Sequence, residues 1–320
     1  MNPGLLDQRV IIVLGKGGVG RTTVAAAIAA ACARRGRRTL FYQTDAGDRA
    51  GRLFGTPPLG EQIVPLGPNL HGVNTNPAAA LHEYGLMVLR YETVYRLVFE
   101  NQFAKKLIRA IPGLDDYAIL GKLWFHSTES LGARPAWDTI VFDAPATGHA
   151  LTMFKIPRAI LAAVPSGPLT RDAVKVSALL EDPKRTAAVI VTLAEEMPTA
   201  EALELDARLG PELGLALAHV IVNQVPPDRF AEGTSPARVL DALLATETPT
   251  EGDRIAALAA AAGAARDRRR MNEEHLARLR ANAKAPLVIL PMLATPRLGR
   301  EEHRLLSQAL EEQLAQTTTA

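Results

Sequence analysis

Gly15-Lys16-Gly17-Gly18-Val19-Gly20-Arg21-Thr22-Thr23 is the stretch that decides the fold class of this 320-residue chain. It has the frame G-x-x-x-x-G, then a basic residue, then a hydroxyl. Glycines in that frame let successive backbone N–H groups curl around anionic oxygens, and the helix that follows aims the positive end of its dipole at them. The run Val10 to Leu14 predicts a strand leading in, and a helix starting near Thr22 leads out, which is the context such a loop requires. The predicted cradle is Gly15, Gly17, Gly18, Val19, Gly20, Arg21, Thr22 and Thr23, and its ligand is a phosphate chain. One position departs from the pattern. Arg21 stands where a lysine should clamp the phosphates, and a planar guanidinium is not equivalent to a compact ammonium. Losing one preorganised transition-state contact typically costs about 10²- to 10³-fold in rate. Arg21 therefore leaves open both a slow but working site and an impaired one.

Outward from the loop, runs rich in β-branched residues alternate with helical segments. Strands are expected at Val10 to Leu14, Thr39 to Thr44, Leu70 to Thr75, Thr139 to Phe142, Ala187 to Leu193, His219 to Val222 and Leu287 to Leu290. That alternation predicts an α/β fold, a doubly wound and mostly parallel sheet, in one domain over 1–320. Pro77 is placed to open a helix after Asn76, and between Pro77 and Leu131 no strand is expected. This interval, 77–131, reads as a helical insert subdomain. Tyr91, Val94, Tyr95, Val98, Gln102 and Phe103 follow helical spacing in it, and Ile119, Leu120, Leu123, Trp124 and Phe125 cluster further on. Such a surface either packs on itself or offers a groove to an apolar client helix. Arg254 to Ala283 reads as one long helix carrying Arg266, Arg268, Arg269 and Arg270, and the last helix as Glu301 to Gln316, with Thr317 to Ala320 frayed.

The ends of the later strands supply the rest of a site, because ligands of doubly wound sheets bind at the carboxyl edge. Thr22 can offer its hydroxyl to Mg²⁺, and Asp143, closing the run DTIVFD, can reach the same ion directly or through water. Asp45 follows TLFYQT and either orients the attacking water or is an ordinary turn aspartate. Pro145, Thr147, Gly148 and His149 form a stiff segment with one joint, suited to sensing a terminal phosphate. His149 is a candidate general base or a local cap. Asn223, with Gln224 after the run HVIVN, can read adenine or simply make a turn.

Composition narrows the classes. Lys+Arg (36) nearly balances Asp+Glu (34), for a net charge of +2, so no strong field argues for nucleic acid or an anionic membrane as partner. The single cysteine, Cys32, excludes a disulfide framework or a cysteine metal cluster within one chain and reads as a small buried apolar residue. No apolar run approaches the roughly 20 residues that span a bilayer. The chain is expected not to be an integral membrane protein, and to be cytoplasmic.

KGGVGRTT at Lys16 to Thr23, DAPATGHAL at Asp143 to Leu151, VTLAEEMPTAEALEL at Val191 to Leu205 and IVNQ at Ile221 to Gln224 together resemble the arsenite-pump ATPase family. That family includes the ATPase that delivers tail-anchored membrane proteins. The insert, with PGLDDYAILGKLWF at Pro112 to Phe125, is similar to bacterial members that occur as paired, non-identical subunits. The resemblance implies a Mg²⁺-dependent ATPase with a deviant Walker A loop, working as a homo- or heterodimer with a paralogous ATPase subunit favoured. ATP would sit at the interface and Lys16, the signature lysine, would reach across to the partner's phosphates. Asp45 would be the switch I aspartate, Asp143 the Walker B aspartate and Asn223 the adenine contact. The implied role is binding or targeting of an apolar or membrane-protein client, with a non-hydrolysing regulatory subunit as the alternative. Two departures bear on this. After Asp45 the chain reads AGDRAGR in place of the family's switch I pattern, and neither a CxxC zinc staple nor a thiolate cluster for metalloid is present.

Overall fold

The computed structural model describes residues 3–44, 47, 49–81, 83, 113–164, 166–245, 254–295 and 297–319. Strands β1 (Val10–Gly15), β2 (Thr39–Thr44), β3 (Val64–Gly67), β4 (Leu70–Thr75), β7 (Thr139–Asp143), β8 (Thr186–Leu193), β9 (Leu217–Val225) and β10 (Leu287–Pro291) form one sheet. Its order is β10-β9-β8-β1-β7-β2-β4-β3. Every neighbouring pair is parallel except β3 with β4. The chain runs outward from β1 to β2 and β4, returns to insert β7 between β1 and β2, then continues on the other side through β8, β9 and β10. The reversal falls beside β1, which makes the carboxyl end of β1 the crevice where such sheets bind ligands.

The strands are apolar without a break because both faces of the sheet are covered. Val10, Ile12 and Leu14 point into one core and Ile11 and Val13 into the other, as the two-residue period of a strand requires. One core holds α1 (Arg21–Arg34), short α2 (Ala50–Phe54) and α9 (Arg300–Thr319). The other holds α3 (Leu114–Thr128), α4 (Thr147–Ala163), α5 (Pro168–Glu181), α6 (Glu196–Arg208) and part of α8 (Arg254–Asn282). The remaining described helix, α7 (Ser235–Ala245), packs on α8. Cys32 lies in α1, fully buried.

All seven expected strands form, four of them one residue longer than read and β9 five residues longer. Four expectations change. The segment Val64–Gly67 adds β3 at the sheet edge, turned back on β4 through Pro68-Asn69, where Asn69 takes φ 57°. Ser130–Leu131 (β5) pairs with Arg134–Pro135 (β6) in a small hairpin, so the insert's end is not free of strand. Thr147, Gly148 and His149 are the first turn of α4 rather than loop. The last helix runs on through Thr317 to Thr319. Within the insert, Asn76 caps the turn at 77–81 by accepting from the Ala79 N–H at 2.8 Å, while Tyr91, Val94, Tyr95, Val98, Gln102 and Phe103 lie outside the described residues. Ile119, Leu120 and Leu123 are buried in the core, with Ile119 also at the wall of a cavity beside the nucleotide loop.

Candidate functional site

The loop from Gly15 to Gly20 takes its shape from glycines that no other residue could replace at two points. Gly20 has φ 88°, and a Cβ there would run into Asn223 Nδ2. Gly15 has φ 149°, and a Cβ there would collide with the Val191 carbonyl of the adjoining strand. Gly17 and Gly18, by contrast, face open space, which is where a phosphate chain must approach the backbone. No side chain caps α1, so the N–H groups of its first turn are left for an anion.

Asn223 braces this loop from beneath. Its side chain is buried, and Nδ2 donates to the Val19 carbonyl at 2.9 Å. Next to it Gln224 has φ 56°, and with Thr23, Pro291, Met292 and Leu293 these residues line a cavity of about 180 Å³. The amide of Asn223 at its wall already holds the loop.

On the other flank the cavity is larger, about 490 Å³, and is lined by Arg21, Thr22, Thr44, Arg49, Asp143, Pro145 and His149 among others. Asp143 Oδ2 accepts from Thr22 Oγ1 at 2.7 Å and from Gln43 Nε2 at 2.9 Å. Burial pushes the Asp143 carboxyl above its ordinary pKa; the bonds from Gln43 and Thr22, then the charges of Arg21 and Arg49, oppose that shift. A buried carboxylate beside a hydroxyl is a hard-oxygen donor pair of the kind Mg²⁺ takes when substrate phosphates and water complete its shell. Among the described residues no cluster of three or more His, Cys, Asp or Glu could hold a metal alone, so an ion here depends on such added ligands.

The two basic residues of the loop are both engaged inside the chain. Arg21 Nη1 donates to the carbonyl of Ala144, the residue after Asp143. Burial lowers the pKa of its guanidinium, with Asp143 opposing and Arg49 adding to the effect. Lys16 Nζ pairs with Glu201 Oε1 on α6 at 2.6 Å, both side chains more than a third exposed. His149 Nε2 lies 3.0 Å from Asp116 Oδ1 on α3 and is itself exposed. Asp45 lies outside the described residues.

The structure thus brings together Gly15 to Thr23, Asp143, Pro145 and Asn223, with Thr147 and Gly148 just beyond in α4. Four contributors escape the sequence reading. Gln43 is a buried amide directly after the apolar run Leu40, Phe41 and Tyr42, and that contrast is the signal that marks it. Arg49 lies within the divergent segment after Asp45. Asp116 and Glu201 sit on helices remote in sequence, and nothing local to them points to the loop.

A family model described as anion-transporting ATPase matches residues 8–165. The chain is 30% identical over 231 residues to the ATPase BagA of Mycobacterium tuberculosis (strain ATCC 25618 / H37Rv), an alignment covering 70% of this chain and 67% of that protein. It is 26% identical over 245 residues to a putative arsenical pump-driving ATPase of Halobacterium salinarum, covering 71% of this chain and 37% of the relative. With the arsenical pump-driving ATPase of Escherichia coli the identity is 27% over 235 residues, covering 67% and 39%. The alignments therefore span about two fifths of these two pump-driving relatives.

Proposed function

We propose, from the premise that this chain belongs to the anion-transporting ATPase family and is an ATP-binding P-loop ATPase, that it works as a dimeric nucleotide switch. In this reading Gly15 to Thr23 hold the phosphates, Asn223 adjoins adenine, and Asp143 with Thr22 holds Mg²⁺. Asp45 serves the attacking water and Lys16 serves a partner subunit's site. The ion, when bound, would neutralise charge developing on the phosphate oxygens. The chain's own groups do the rest: the loop N–H groups orient the substrate, and Gln43 fixes the Asp143 carboxylate.

The observation that carries the reading is the wiring of the loop to the next strand end. Thr22 bonds Asp143 and Arg21 bonds Ala144, so any displacement of the first turn of α1 pulls on the segment Ala144 to Thr147 that opens α4. That is a mechanical route from phosphate to a helix, which a switch needs. Delivery of an apolar or membrane-protein client draws its support from the family resemblance rather than from α3, whose Ile119, Leu120 and Leu123 are committed to the core. No described helix is long and apolar enough to cross a membrane. The alternative, a non-hydrolysing regulatory subunit beside an intact paralogue, is favoured by one fact: Arg21 is turned onto a backbone carbonyl.

The test is phosphate release from the purified chain with ATP and Mg²⁺, alongside sedimentation with and without nucleotide. ATP-dependent dimerisation is expected, with Arg21→Lys raising turnover by about 10²-fold and Lys16→Ala abolishing it. A stable monomer in saturating ATP and Mg²⁺ would end the switch reading. Equal rates for Arg21→Lys and the parent would remove Arg21 as the reason for slow turnover.

A further inference from the structure

A separate cavity of about 510 Å³ lies against α8, within the roughly 300–1,000 Å³ typical of small-molecule sites. Ala261, Ala264 and Ala265 form its floor; their spacing puts them on one face of the helix, and their small side chains leave the space open. The same face continues through Arg268 and Arg269, one turn on. The rest of the lining comes from the segments that follow β9 and β10, Phe230 and Met292 among them. This is the carboxyl edge of the parallel sheet, where α/β proteins place ligands.

The charges around this apolar floor are unbalanced. Arg229, Arg266, Arg268 and Arg269 line the cavity against one carboxylate, Asp228. Arg266 is paired with Asp241, and Arg269 uses Nη2 on Glu273 at 2.7 Å. Arg269 Nη1, however, is buried with no hydrogen-bond partner among the described residues. A buried donor left unsatisfied is costly, and because Arg269 lines the cavity, a turn of its guanidinium toward that space would give Nη1 an acceptor bound there. Arg268 is exposed on the same face and makes no ion pair or hydrogen bond among the described residues.

We propose that this cavity is a second ligand site, distinct from the nucleotide site, for a small oxyanion carried on a compact apolar body, of the aryl-phosphate kind. Arg268 and Arg269 hold the oxyanion, where two guanidiniums offer paired N–H donors of fixed geometry. The alanine face, Phe230 and Met292 hold the body. Met292 also lines the cavity beside Asn223, so the two sites share a wall.

The experiment is calorimetric titration of the full chain with 1-naphthyl phosphate, with inorganic phosphate, and with 1-naphthyl phosphate in the presence of saturating ADP and Mg²⁺. Saturable one-site binding of 1-naphthyl phosphate is expected, tighter than phosphate alone and unchanged by ADP. Arg268→Gln and Arg269→Gln should each weaken it about tenfold or more, at the strength of a charge-assisted bond, and Phe230→Ala should remove the advantage over phosphate. Arg268 is exposed and unpartnered, so its variant keeps the fold and carries the test even if Arg269→Gln does not. Absence of saturation, equal affinity for phosphate alone, or unchanged binding in Arg268→Gln overturns the proposal. Displacement by ADP also overturns it, because it assigns the cavity to the nucleotide, whereas failure of the ATPase tests above leaves this titration unaffected.

Discussion

Replacing Gly20 by alanine should damage the loop through Asn223, and the damage can be worked out from the geometry. Gly20 sits at φ 88°, ψ 27°, a left-handed conformation that costs a residue with a Cβ about 1–2 kcal/mol. The new methyl would also meet Asn223 Nδ2, which is buried and holds the Val19 carbonyl at 2.9 Å. Asn223 must swing away, and a buried hydrogen bond broken on one side costs about 1–3 kcal/mol. The single variant should therefore lose roughly 2–4 kcal/mol, the two terms not adding fully. Asn223→Ala alone should lose about 1–2 kcal/mol, because the Val19 carbonyl is left without its donor. In the double variant the clash is gone, so the pair should show a coupling of about 1–2 kcal/mol relative to the sum of the singles.

Gly17→Ala is the control: nothing lies within 4 Å of its added Cβ, and its stability should stay within about 0.5 kcal/mol of the parent. Urea unfolding followed by fluorescence and circular dichroism together gives these values, provided that the two probes coincide. If Gly20→Ala costs no more than Gly17→Ala, or if the two changes at 20 and 223 simply add, Asn223 does not brace the loop as argued.

Gln43→Leu removes one of the two donors that hold the Asp143 carboxyl down against its burial; the acid limb of the ATPase pH profile should move to higher pH and turnover fall about 10- to 100-fold, as for other supporting partners of metal-binding groups. An unmoved profile would sink that role. Glu201→Gln should free Lys16 at a stability change under about 1 kcal/mol, since the pair is half-exposed, while lowering the ATP concentration needed for dimerisation; no change in that midpoint refutes the parking of Lys16. His303 is buried on α9 against the ring of Phe54, and burial lowers its pKa to about 4. Its folded value is below its unfolded one of about 6.5, so the stability it withholds from acid is intact above pH 6.5 and is lost as pH falls towards 4, on the order of 3 kcal/mol in all. Urea midpoints between pH 7 and 4 test this, and His303→Phe should flatten the slope.

The parallel strands were legible because burial on both faces makes them nearly continuous apolar runs, and the nucleotide loop because its glycines answer a local backbone demand. β3 was not legible in the same way. Pro65 and Gly67 spoil its pattern, and the strand forms only because the turn at Pro68-Asn69 lays it on β4; that pair, with an asparagine able to take positive φ, was the available signal. Thr147 to His149 read as loop because Pro145 and Gly148 bracket Thr147, yet Pro145 lies outside the helix and Gly148 in its first turn, where neither breaks it. The site divides likewise. Residues on the loop or at strand ends could be found from sequence, but Gln43, Asp116 and Glu201 matter through partners about 33 to 185 positions away, and no local pattern encodes such pairings.

The two cations of the loop differ in what holds them. Lys16 is tied by a half-exposed ion pair to Glu201, which contributes about 0–1 kcal/mol and is weakened by salt. A phosphate chain or an opposing subunit can take the ammonium from it at little cost. Arg21 is tied to the Ala144 carbonyl within a part-buried cluster that includes Asp143 and Thr22, and moving it strands a carbonyl beside a buried carboxylate. Departure of Lys16 therefore leaves the chain's own site unchanged, whereas departure of Arg21 disturbs the segment that opens α4. In the proposed switch Lys16 would be the mobile charge offered outward and Arg21 the inner link between loop and strand end; Arg21→Lys would then raise turnover while loosening that link, because an ammonium has no planar fork to span the two.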